Sequence, residues 1–226
     1  LIEHNAENTD ALIMASMNGH EKIVKYLIEQ GADVDIQDER GETALINASQ
    51  NGHYNIVKCL IDNGAKIDIK DNGYQTALMY ASNNGYLEIV KYLIDKGADI
   101  DNENRDGDTA LVYASENGYF DIVKYLIELG TDVNMRDYSY RTALVYASGN
   151  GHLDIVKYLV SKGADINIIG DKYGITPLSN AAKNGHLEVV KYLLENKVNV
   201  KNDRHALNDA LKNGHYEIAE LLKNYK

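Results

Sequence analysis

Thr76-Ala77-Leu78-Met79-Tyr80-Ala81-Ser82-Asn83-Asn84-Gly85 followed by Tyr86-Leu87-Glu88-Ile89-Val90-Lys91-Tyr92-Leu93-Ile94-Asp95-Lys96-Gly97 is the stretch whose reading decides the fold. In its first half, Thr76 can cap a short helix whose apolar positions are Ala77, Leu78 and Ala81, and Asn84-Gly85 stops that helix with a residue tolerant of positive φ. In its second half, Ile89, Val90, Leu93 and Ile94 form a stripe at helical spacing that ends at Gly97. The product is a helical hairpin. Residues 99–108 carry Asp, Asn and Gly where turns need them, with Ile100 as the only large apolar side chain, and read as an extended projecting loop.

Outward from this unit the same phrase returns. Thr-Ala-Leu begins at Thr43, Thr76, Thr109 and Thr142, a period of 33 residues. Asn-Gly pairs stand at Asn18, Asn51, Asn84, Asn117, Asn150, Asn184 and Asn213, so seven units follow, at intervals of 33, 33, 33, 33, 34 and 29 residues. Helices this short are unstable alone in water, where about twelve residues is the usual minimum, so each hairpin must bury its apolar face against its neighbours. The period overrides the one or two compact domains that 226 residues would otherwise suggest. The expected fold is all-α: a solenoid of stacked helix pairs with projecting hairpin loops, running over residues 1–226 as one array that presents an elongated surface.

These residues resemble the ankyrin repeat family. Its pattern of Asp-x-x-Gly-x-Thr-Pro-Leu, then Gly-His, Ile-Val and Leu-Leu, is matched by Asp171-Lys172-Tyr173-Gly174-Ile175-Thr176-Pro177-Leu178, Gly185-His186, Val189-Val190 and Leu193-Leu194. Most units depart from it by carrying Ala where Pro is usual, which costs little at a helix start. They also carry Ile13, Ile46, Met79, Val112, Val145, Ser179 or Asn208 where the family has His, exchanging a polar link for packing. The recurring Asn-Gly-His/Tyr-Leu-Glu/Asp-Ile-Val-Lys-Tyr-Leu wording also resembles, more distantly, ankyrin proteins of giant amoeba-infecting DNA viruses. That implies a setting in the host cytoplasm.

Leu1-Ile2-Glu3-His4 is comparable with Leu27-Ile28-Glu29-Gln30, the tail of a second helix, which leads us to expect that the chain begins inside a preceding repeat. Residues 5–10 then make a link too short for a projecting loop, and the junction at residues 199–204 is trimmed as well. Polar Glu217, Glu220, Lys223, Asn224 and Lys226 suit a terminal cap.

A net charge of -11 disfavours nucleic acid and anionic lipid as partners and favours a basic protein surface. The acid is concentrated in loops: Asp33, Asp35, Asp38, Glu39 and Glu42 in one, Asp99, Asp101, Glu103, Asp106 and Asp108 in another. Charged tips also keep an array soluble, so two readings stand. The single cysteine, Cys59, sits in a second-helix site otherwise filled by Tyr and reads as a free thiol in a reducing compartment, the cytoplasm. No apolar run reaches membrane-spanning length.

His20, His53, His152, His186 and His215 share one register that Tyr86 and Tyr119 fill in two units, an exchange no metal ligand would tolerate. Neither a metal site nor a buried carboxylate pair is expected, and no cofactor; the chain reads as a non-enzyme.

In the family, partners meet the concave side, formed by loop tips and the exposed ends of the first helices. By position this implies Gln37, Glu39, Arg40, Glu42, Gln50 and Asn51; Lys70, Asn72, Gln75, Asn83 and Asn84; Glu103, Arg105, Asp106, Asp108, Glu116 and Asn117; and Arg136, Tyr138, Arg141 and Asn150. Tyr80, Tyr113 and Tyr146 recur at one first-helix site, either as interface anchors or as packing between repeats. The expected function is a monomeric protein-binding module; an architectural spacer or assembly element is the alternative. The family resemblance further implies that Asn134 and Asn167, each set behind Leu and an aliphatic residue, can be hydroxylated.

Overall fold

The computed structural model of the protein describes residues 2–170, 174–200, 203 and 205–225, with side chains from residue 10 onward. Each Thr-Ala-Leu segment begins a helix of seven residues, as anticipated from Thr76. The hydroxyls of Thr43, Thr76, Thr109 and Thr176 accept the amide three residues on, satisfying one donor that the helix start leaves open. Thr142 makes no such bond.

The helix end explains why Asn-Gly recurs. Asn84 folds its side-chain amide back onto the carbonyl of Tyr80 at 2.9 Å, Gly85 takes φ +79°, and the Tyr86 amide then donates to Ala81 at 3.0 Å. The chain reverses there and enters a nine-residue second helix. That helix buries Ile89, Val90 and Leu93 against the first, each worth roughly 1.5 to 3 kcal/mol.

The pairs gather into two compact units, Leu1–Arg105 and Asp106–Lys226. In the first, α1 (Ile2–Met17), α3 (Ala44–Gln50) and α5 (Ala77–Asn83) pack side by side, with α2 (Glu21–Glu29), α4 (Tyr54–Asp62) and α6 (Leu87–Asp95) forming a second row. In the second, α7 (Ala110–Glu116), α9 (Ala143–Gly149), α11 (Pro177–Lys183) and α13 (Ala206–Lys212) make one row. The other row holds α8 (Phe120–Glu128), α10 (Leu153–Ser161), α12 (Leu187–Glu195) and α14 (Tyr216–Asn224). Within each unit the architecture is the expected all-α stack of helix pairs, and its core is the repeated Leu-Ala and Ile-Val-Leu set.

His53, His152 and His186 are fold residues. His53 packs its ring over Gly19, where a Cβ would come within 2.7 Å, and its Nε2 lies 3.0 Å from the carbonyl of Met17. His152 and His186 repeat the link to Glu116 and Gly149, both at 2.9 Å. Tyr86 covers Gly52 in the same way, which is how Tyr substitutes for His here.

One expectation is corrected. The break proposed over residues 5–10 is absent, because α1 is continuous from Ile2 to Met17. Nothing in that segment stops a helix: no Gly or Pro occurs before Asn18-Gly19. The family-pattern residues Asp171, Lys172 and Tyr173, and Lys201, Asn202 and Arg204 of the trimmed junction, lie outside the described residues.

Candidate functional site

The loop between helix pairs is built on a single aspartate. Asp71 Oδ1 accepts the amides of Gly73 at 2.7 Å and Gln75 at 2.8 Å, folding the tip into a tight turn, and the Asp71 amide closes it on the Gln75 carbonyl at 3.0 Å. Asp38 does the same for Arg40 and Glu42, both at 2.8 Å, and Asp137 for Ser139 and Arg141, both at 2.8 Å. Carboxylates suit this place because one oxygen can satisfy two backbone donors.

Successive tips within a unit are then tied together. Asn72 donates its backbone amide to Arg40 O and its side-chain amide to Glu39 O, both at 2.9 Å. The Arg105 amide reaches Gly73 O at 3.0 Å in the first unit, and in the second the Tyr138 amide reaches Asp106 O at 2.9 Å. Gln37 and Lys70 add side-chain links to Lys70 O and Glu103 O at 3.0 and 3.1 Å. The tips are therefore held in register by backbone, and their side chains are presented from a fixed frame.

At the fourth residue of the turn the backbone is left-handed: Gly41 at φ +76° and Gly107 at +82°. A Cβ on Gly41 would meet the Asn72 amide nitrogen at 2.8 Å. Tyr74 and Tyr140 nevertheless hold φ +63° at this position. A left-handed tyrosine is unfavourable by roughly 1 to 2 kcal/mol, and neither ring is buried to compensate. The guanidinium of Arg105 lies 5.0 Å from the Tyr74 ring centre. Sequence reasoning did not anticipate this strain. The signal was available, since both stand where Gly41, Gly107 and Gly174 fill the same register.

Of the residues assigned to a partner by position, Gln37, Glu39, Arg40, Asn72, Arg105, Asp106, Arg136 and Tyr138 are exposed. Gln50, Lys70, Gln75, Asn83, Glu103, Asp108, Glu116 and Arg141 are half-buried, as are Tyr80, Tyr113 and Tyr146. Glu42 is the exception and is corrected: it is 7% exposed, with the Asn47 amide donating to its Oε2 at 3.2 Å. Burial, reinforced by the nearby charge of Asp38, pushes its carboxyl above the ordinary range. The loop-tip turn directs this side chain inward under the first helix, away from any partner. Asn51, Asn84, Asn117 and Asn150 also face differently from expectation, because each amide closes its own helix on the carbonyl four residues back.

The tyrosines of the first helices brace loops. Tyr80 donates its hydroxyl to Asp71 Oδ2 at 2.8 Å, and Tyr146 to Asp137 Oδ2 at 2.7 Å. Asp137 also receives Arg141 Nε at 3.0 Å, and that guanidinium lies 4.7 Å from the Tyr146 ring centre. Burial and the bond to Asp137 hold the Tyr146 phenol well above its ordinary range. Glu116 is raised by burial and by Asp108, with Arg141 opposing. Asn134 is part of the frame: it donates to Gly163 O at 3.1 Å and accepts from the Asp165 amide at 2.8 Å. Asn167 accepts from the Asn199 amide at 2.7 Å.

Among the described residues, no group of three or more His, Cys, Asp or Glu is placed to hold a metal ion, and no helix is long and apolar enough to cross a membrane. The Cys59 thiol is pushed up by burial, which suits an inert packing role. The arrangement is suited to contact, not to chemistry.

Comparison with protein families gives a match to ankyrin repeats (3 copies) over residues 1–71, 78–170 and 144–226, which together leave out only residues 72–77. No curated protein matches the sequence. The Thr cap is seen at four first helices, the Asn-Gly reversal closes each first helix, and a His or Tyr ring covers a reversal glycine at the junctions; the chain belongs to the ankyrin repeat family, whose stacked helix pairs serve as protein–protein interaction modules.

Proposed function

We propose that the chain is a monomeric, cytoplasmic array over residues 1–226 that binds a protein partner through loop tips and the concave-side ends of its first helices. The observation that carries this reading is the tip at residues 137–141, where Tyr138 and Tyr140 stand 64% and 61% exposed while Tyr140 is held in a left-handed backbone. Strain without internal compensation gathers where a protein contacts something else. Tyrosines at a wet boundary supply contact area and a hydroxyl together.

Charge favours a basic partner. Glu39 is exposed on a tip of the first unit, and Asp106 on a tip of the second with Asp108 and Glu116 half-buried behind it. Removing a half-buried carboxylate from water raises the reward for a cation that docks beside it, and exposed ones steer the approach. Cys59, alone in the sequence, suits a reducing compartment.

The test is a tagged pull-down of the chain against a variant with Glu103, Asp106 and Asp108 reversed to Lys and Tyr138 and Tyr140 replaced by Ser, both of equal helicity by circular dichroism. A protein retained by the parent, lost from the variant and released by added salt is the expected result. A partner that binds both equally would move the contact to another surface. Retention of nothing specific by either would favour a spacer role.

A further inference from the structure

Asn72 and Tyr138 stand at one register of the loop tips, and each crosses the left-handed glycine of the tip before it. A Cβ on Gly41 would come within 2.8 Å of the Asn72 amide nitrogen and 2.9 Å of its Oδ1, and Asn72 spends its side-chain amide on the Glu39 carbonyl at 2.9 Å. Tyr138, in the second unit, uses the same space for its ring. A Cβ on Gly107 would come within 2.7 Å of both the Tyr138 amide nitrogen and its Cδ1, and within 3.0 Å of Cε1, so one edge of the ring rests on this glycine. Gly107 is buried there, while Tyr138 is 64% exposed. A ring seated on its edge presents its faces at the surface. The Tyr138 amide donates to Asp106 O at 2.9 Å, which sets the exposed Asp106 alongside.

The chain itself shows what such a pair of groups can hold. Within the same unit, the Arg141 guanidinium lies 4.7 Å from the Tyr146 ring centre while its Nε donates to Asp137 Oδ2 at 3.0 Å. On a tip of the first unit, the Arg105 guanidinium lies 5.0 Å from the Tyr74 ring centre. A guanidinium is flat and weakly hydrated, so it can stack on a ring and still turn N–H groups towards a carboxylate at its edge. An ammonium is a strongly hydrated point charge and does both less well. At Tyr138 an aromatic ring and a carboxylate again stand side by side, here at the surface. Arg136, exposed two residues earlier, repels any cation that approaches, so the carboxylate alone does not make a seat and the ring is needed.

We infer that Tyr138 and Asp106 form a seat for an arginine side chain of a protein partner, its guanidinium stacked on the ring and an N–H edge turned to the carboxylate. The inference rests on the reading of the tips as a contact for a basic partner, and adds that the contact selects arginine over lysine.

The test titrates the chain with an eight-residue peptide of alternating arginine and glycine and, separately, with its lysine counterpart, following the Tyr138 ring protons by NMR. The arginine peptide is expected to shift those protons and to bind more tightly by roughly two- to fivefold, the worth of one exposed cation–π contact. Tyr138→Phe should keep the preference. Tyr138→Leu, at unchanged helicity, should remove it and leave the weaker, salt-sensitive binding that charge alone gives. Equal affinity for the two peptides, or a preference that survives Tyr138→Leu, would overturn the inference and leave a basic partner at the tips in place. Failure of the tip reading itself would show separately, as binding of both peptides undiminished when Glu103, Asp106 and Asp108 are reversed together. Binding of neither peptide would overturn the seat and the basic partner alike.

Discussion

Residues 38–50 and residues 137–149 occupy the same register of the repeat and fasten loop to helix in opposite ways. In the first, Asn47 is wholly buried, lends its amide to a buried Glu42, and has no partner for its own Oδ1. Asp38 there serves backbone amides, and among the described residues no ion pair to Glu42 is formed, Arg40 acting on it only as a neighbouring charge. In the second, Tyr146 takes the place of Asn47 and Arg141 that of Glu42, and both converge on Asp137. The backbone is common to both. What differs is whether a buried charge is compensated, and that is set by residues the stacking pattern leaves free.

The largest effect tests the common frame. Leu45→Ala and Leu144→Ala remove equivalent core side chains, at 1% and 0% exposure, and each should lower stability by roughly 2 to 5 kcal/mol. Urea unfolding of the two variants should give closely similar losses. A gap of more than about 1 kcal/mol would show that the two regions already differ in their cores, so that the loop comparison is not isolated.

A smaller effect separates the loops themselves. Asp137→Ala leaves the Arg141 guanidinium and the Tyr146 hydroxyl without their shared acceptor and frees two tip amides, at a cost of about 3 kcal/mol. Asp38→Ala frees only tip amides, which stand near water, and should cost about 1 kcal/mol. Thermal and urea unfolding measure both. Equal losses would mean that the tyrosine and arginine add nothing to the bracing in residues 137–149.

How far these differences were readable in the sequence follows from their physics. Thr76, Asn84-Gly85 and the Ile89-Val90-Leu93 stripe act over three or four residues, and a helical period with a glycine stop is legible from spacing alone. The loop aspartates repeat at a fixed register, yet their work shows only when the turn brings two amides to one oxygen. Glu42 looked like a solvent-facing acid because its loop is rich in acidic residues. Its inward course depends on the turn at Gly41 and on Asn47 five residues on, a meeting that no periodicity announces. Tyr80 and Tyr146 were ambiguous for the same reason: the side chain reaches across nine positions to Asp71 or Asp137.

The smallest effect sharpens the comparison most, because its sign differs from ordinary carboxylate behaviour. Burial first, then repulsion from Asp38, raises the Glu42 pKa in the folded state, and the Asn47 amide offsets only part of this. The folded chain therefore binds the Glu42 proton more tightly than the unfolded chain, whose carboxyl titrates near its ordinary value of about 4.3. Stability from this group must then fall as pH rises from about 4 through the raised folded value, and the penalty is complete above it. Glu42→Gln keeps a carbonyl for the Asn47 amide and never ionises, so its stability relative to the parent should climb over that interval and level off by neutral pH. Carboxylates that favour the charged form respond in the opposite direction, but they are common to both chains and cancel in the difference. A difference that stays flat or declines with rising pH would show that the Glu42 charge is compensated in solution, and residues 38–50 would then be fastened as securely as residues 137–149.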